Sequence, residues 1–177
     1  MEDHENLYDK IKEIFGVIPR NFNIMEDTID VDLQMEYFEF SKKMSQEFDE
    51  QWVKSQLPVL HDPDGFLAVK KQVLARLASM HDVASYRAIE SYMEIVEPEL
   101  RDWCTLALQE SRMNLESHLL EENQILISTG LGGREDKLRY FVVLIARNRE
   151  TLSDIQLRII KNEFTEVLKK YDAEIED

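Results

Sequence analysis

Residues Val69 to Leu77 and residues Leu100 to Leu108 carry one pattern twice, 31 positions apart. The shift lays Val69 on Leu100, Val73 on Cys104, Ala75 on Leu106 and Leu77 on Leu108. Within each copy the apolar positions fall at i, i+4 and i+8, the spacing of a helix that buries one face. A proline precedes each copy, Pro63 in Asp62-Pro63-Asp64 and Pro98 in Glu97-Pro98-Glu99. Proline suits a first helical turn because the amide it lacks has no partner there. Met80-His81-Asp82 closes the first of these helices. A second helix follows, with Val83, Tyr86, Ile89, Met93 and Val96 on one side.

A repeat with a period of roughly 20–50 residues points to stacked helix pairs, an α-solenoid. The residues Asp62-Pro63-Asp64, Val69-Lys70, Leu74, Leu77 and Ser79 to Asp82 resemble the HEAT family of helical repeats. The resemblance extends over about residues 51–122 and implies a binding scaffold, with no chemistry attached. The predicted fold is therefore mainly α, a HEAT-like stack with a C-terminal β-hairpin and helix. Residues 1–122 form the helical part and 123–177 the ββα appendage.

Upstream of the repeat, Leu7, Ile11, Ile14 and Phe15 predict a short amphipathic helix ended by Gly16, and Val17 to Asn21 a turn. Leu33, Tyr37, Phe40, Met44 and Phe48 predict a helix from Asp32 to Glu50. A helix over Gln51–Leu60 is broken near Pro58. After the helix that starts at Pro98, a separate one is expected from Met113 to Glu122. Downstream, Gln124–Thr129 and Leu138–Ala146 are rich in β-branched and apolar residues. Gly130 to Lys137 between them has turn chemistry, so the two runs predict a hairpin. A lone two-stranded hairpin is marginal in water, so it needs cover from helices or from another chain. Ser153 and Gln156 fit a capping box at the head of a last helix.

The 177 residues carry a net charge of −15. Such a field repels a phosphate backbone, and no basic patch offsets it, so nucleic acid is not an expected partner. No apolar run reaches the roughly 20 residues that span a bilayer, so no membrane partner is expected either. The single cysteine, Cys104, lies on an apolar face and reads as core. Together these features predict a cytoplasmic chain.

Few residues offer chemistry. Thr129, Gly130, Gly132, Gly133 and Arg134 are the candidate ligand or partner site, where backbone amides and a guanidinium would meet an anion. Phosphate cradles, however, sit between a strand and a helix N-terminus, and here a strand follows. His4, His61, His81 and His118 are scattered, and only His118 and Glu122 share helical i, i+4 spacing. Metal sites use three or four ligands, so no metal and no cofactor is expected. No nucleophile has a base beside it. The function that remains is a non-enzymatic scaffold for a protein partner, with a homodimer through the hairpin edge as one form of it. The alternatives are an acidic inhibitor, immunity protein or chaperone docking a basic partner, and a small anion site in the glycine loop.

Overall fold

The computed structural model describes residues 22–47, 49–122, 124–135, 137–147 and 149–176. The expected helix at 1–16 and the turn after it lie outside these residues. What is described is mainly helical, with six α-helices and two small sheets. The chain divides into two units, residues 1–139 and 140–177.

In the first unit, aspartates set the helix starts. The Asp30 carboxylate accepts from the amides of Asp32 and Leu33 at 2.9 and 3.3 Å, opening α1 (Val31–Gln46). Helix α1 stops short of the predicted Glu50 because Asp49 caps the next helix, α2 (Glu50–Gln56). An aspartate that bonds the free amides ahead of it competes with the helix behind it. Pro58 then sits in a 3₁₀ turn over Leu57–His61, which ends α2 as the sequence predicts.

Helix α3 (Leu67–Ala78) is the centre of the unit. It packs against α1, α2, α4 (Val83–Met93) and α5 (Arg101–Leu120). Every residue from Val73 to Ala78 is buried. Its C-terminal half is thus covered on every side, while Leu67 and Ala68 at its start stay exposed. Both repeat copies are helical, and all the matched apolar residues except Val69 and Leu108 are buried. The expected break before Met113 is absent. Helix α5 runs unbroken for 20 residues, since neither glycine nor proline falls between Arg101 and Leu120. It ends at Glu121, whose φ of 54° is left-handed.

The predicted hairpin is corrected by the strand pairing. Strand β1 (Phe22–Ile24) lies parallel to β2 (Ile125–Ile127), with Phe22 opposite Ile125. That pairing brings Ile24 and Met25 into the core and sets Leu126 against it. A parallel partner from the other end of the unit's chain thus takes the strand expected in a hairpin. A smaller hairpin joins β3 (Gly133–Arg134) to β4 (Lys137–Leu138). The run Tyr140 to Ile145 forms neither strand nor helix. A β-prone run needs a ladder partner, and none lies beside it among the described residues.

The second unit contains α6 (Asp154–Leu168) and a 3₁₀ turn at Lys169–Tyr171. The capping box forms as predicted: the Gln156 amide bonds the Ser153 hydroxyl, and the Gln156 side chain accepts from the Ser153 amide at 2.9 Å. No residue of α6 is buried.

Candidate functional site

The glycine loop follows β2 and folds back on the segment between β1 and α1. Gly132 has φ of 74°, and a Cβ there would lie 2.3 Å from the Glu26 carbonyl oxygen. The Gly133 amide donates to that same carbonyl at 3.1 Å. The Gly130 amide bonds the Ser128 hydroxyl at 3.3 Å, and the Leu131 amide bonds the Thr129 hydroxyl at 3.3 Å. The Glu135 amide reaches the Glu26 carboxylate, and Thr28 donates to the Leu131 carbonyl. Arg134 sits exposed on β3, and Thr129 also donates to the Arg139 carbonyl. The amides of Gly130, Leu131, Gly133 and Glu135 are therefore engaged within the chain, and the loop clasps the entry to α1. Gly132→Ala is expected to cost roughly 1–3 kcal/mol, from a left-handed φ forced on alanine together with the clash. Urea unfolding of the variant checks this, and an unchanged midpoint contradicts it.

Two polar clusters lie inside the first unit. Glu110 on α5 accepts hydrogen bonds from the Tyr37 hydroxyl at 2.6 Å and from Ser41, both on α1. Burial pushes its carboxyl above the usual range, and the two hydrogen bonds only partly offset this. Its ionised form is thus disfavoured in the fold, and ionisation costs stability as pH rises through the raised value. The second cluster joins Lys70, Glu97 and Tyr92, with the Glu97 carboxylate accepting from both neighbours. Cys104 is fully buried, and burial pushes its thiol up to about 12. A thiol so protonated is no nucleophile at neutral pH.

The histidines fall differently from their spacing in sequence. Because Glu121 turns left-handed, the helix ends before Glu122, and the i, i+4 helical spacing of His118 and Glu122 is not continued through it. Instead His118 meets His81, from the turn between α3 and α4, with ring centroids 5.8 Å apart. Among the described residues no group of three or more His, Cys, Asp or Glu side chains is arranged to hold a metal ion. His81 borders an open depression of about 500 Å³ lined also by Ser45, Glu50, Ser79, Met80 and Asp82. No signal in the sequence joins residues 81 and 118, since their meeting depends on how α3 packs against α5.

The second unit leaves its apolar side chains uncovered. Phe141 is 81% exposed and Ile145 79%, with Tyr140, Val142, Val143 and Leu144 also exposed. On α6, Ile155, Leu157, Ile159, Phe164 and Val167 are exposed as well. Monomers seldom leave so many large apolar side chains in water within one short unit.

Comparison with protein-family models, curated proteins and solved structures finds no match to this chain. No helix among the described residues is long and apolar enough to cross a membrane.

Proposed function

We propose that the protein is a non-enzymatic interaction scaffold that works as a homodimer through residues 140–177. The exposure of Phe141 and Ile145, in a unit whose helix buries nothing of its own, carries this reading. Surface of this kind is stable in water once another chain covers it. The charge distribution favours a second copy as that chain. Residues 140–177 hold six basic and eight acidic side chains, so −13 of the net −15 lies on residues 1–139. Two copies therefore approach with least repulsion through their near-neutral C-terminal units. The run Tyr140–Ile145 pairs with its counterpart as an added strand, and the apolar side of α6 covers it.

The first unit is read as the scaffold proper, a HEAT-like body built on the repeat of Val69–Leu77 in Leu100–Leu108. The burial of Val73, Ala75, Cys104 and Leu106 supports this reading. Size-exclusion chromatography with light scattering tests the dimer. The wild-type chain is expected to run as a dimer at micromolar concentration. The double variant Phe141→Asp, Ile145→Asp is expected to run as a monomer with its helical circular dichroism retained. A wild-type chain that stays monomeric at every concentration overturns the proposal.

A further inference from the structure

We infer that His81 and His118 together form a chelating site for a divalent transition metal of the zinc, copper or nickel class. The two rings come from different elements, with centroids 5.8 Å apart and planes inclined by 30°. With metal–nitrogen bonds of roughly 2.0–2.1 Å, two imidazoles on one ion have centroids about 5–6.5 Å apart. Imidazole suits these three metals, and the other coordination positions go to water. Both residues are exposed, so an ion reaches them from solvent.

The surrounding structure fixes the backbone that carries both rings. Asn114 lies one helical turn before His118 on the same face of α5, and its side-chain amide donates to the Ala78 carbonyl at 2.9 Å. That bond ties the C-terminal end of α3, from which His81 emerges, to the helix that bears His118. On the other side of His81, the Asp82 carboxylate accepts from the Ser85 amide at 3.0 Å and caps α4. The Ser79 amide in turn bonds the Ala75 carbonyl at 3.2 Å. His81 is thus held between two capped helix ends. Two ligands carried on fixed backbone, with ring centroids 5.8 Å apart, bind as a chelate, because the second bond forms within one molecule and orders only one more side chain.

Charge points the same way. Glu50 and Asp82 line the depression beside His81, and the chain as a whole is strongly negative. Both carboxylates are already engaged, Glu50 with Lys54 at 2.6 Å and Asp82 as the helix cap, so they attract the cation and do not ligate it. A field of this sign raises the local concentration of cations.

The test uses the full chain without an affinity tag, titrated with zinc chloride by calorimetry. One equivalent per chain is expected, together with a rise in melting temperature, because metal bound only to the folded state stabilises it. His81→Ala and His118→Ala should each weaken binding about tenfold or more, since either change ends the chelation. Both positions are exposed, so both variants keep the fold. His61→Ala, a change at a ring edge-on to Tyr92 in another part of the unit, should bind as the wild type does. No zinc binding by the wild type overturns the inference. So does binding that survives in either single variant at full strength, which would leave the two rings as a packing contact only.

Discussion

Replacing Trp103 by alanine is expected to cost the first unit about 3–5 kcal/mol, the range for truncating a large aromatic in a packed core. Trp103 is 2% exposed. Its ring meets Tyr37 edge-on at 5.1 Å and Phe40 at 5.3 Å, and the Lys71 ammonium lies 3.9 Å from its centroid. Tyr37 and Phe40 belong to α1, so the indole fastens α1 to α5 beside the Glu110 hydrogen bonds. An alanine leaves a void where the indole met Tyr37, Phe40 and Lys71. A loss of this size is a large share of the roughly 5–15 kcal/mol that holds a domain folded. Trp103→Phe separates the ring contacts from simple volume. The indole nitrogen is buried with no hydrogen-bond partner among the described residues, so phenylalanine removes an orphaned donor while keeping an aromatic face. Urea unfolding should rank wild type, Phe and Ala in that order, with the Phe variant nearer the wild type. An alanine variant within about 1 kcal/mol of wild type contradicts the packing account.

The helices were readable because local chemistry decides them. Pro58, the Ser153–Gln156 box and the apolar spacing around Val73 and Cys104 act within a few residues, and each appears where the sequence places it. Two helix boundaries differ for local reasons, at Asp49 and before Met113, and the larger differences lie where a distant partner decides. The β-branched pattern of Ile125–Ile127 marks a strand, but its neighbour is Phe22–Ile24, about a hundred positions away. Nothing local distinguishes that pairing from a hairpin with the next β-prone run. The glycine loop shows the same limit. Gly130 and Gly132 mark a turn in the sequence, and their left-handed φ agrees. That the turn closes on Glu26 depends on the parallel strand pair beside it. The pairing of His81 and His118 was illegible for the same reason, as was the part played by Glu97, which the sequence offered only as one residue of a Glu-Pro turn.

That residue leads to the second large effect. Glu97→Ala should destabilise the first unit by about 3–5 kcal/mol, because it leaves a buried charge without its partner. Lys70 is fully buried, and its ammonium bonds one Glu97 oxygen while the Tyr92 hydroxyl bonds the other. Burial alone would raise the Glu97 carboxyl, but the hydrogen bonds from Lys70 and Tyr92 outweigh it and hold the group below its ordinary value. A depressed carboxylate contributes stability above its unfolded value, near pH 4.3, and loses it as pH falls through the folded value. The gap between wild type and Glu97→Ala should therefore be full at neutral pH and narrow in acid. Lys70→Met should cost less. It fills the same space with apolar atoms, and the Glu97 side chain, 29% exposed, can turn to water. The double variant Lys70→Met, Glu97→Ala should then be more stable than Glu97→Ala alone, since no ammonium remains to be stranded. A Glu97→Ala chain no less stable than Lys70→Met would show that the buried ammonium finds solvent without its carboxylate, and the pair would then count as packing rather than as charge.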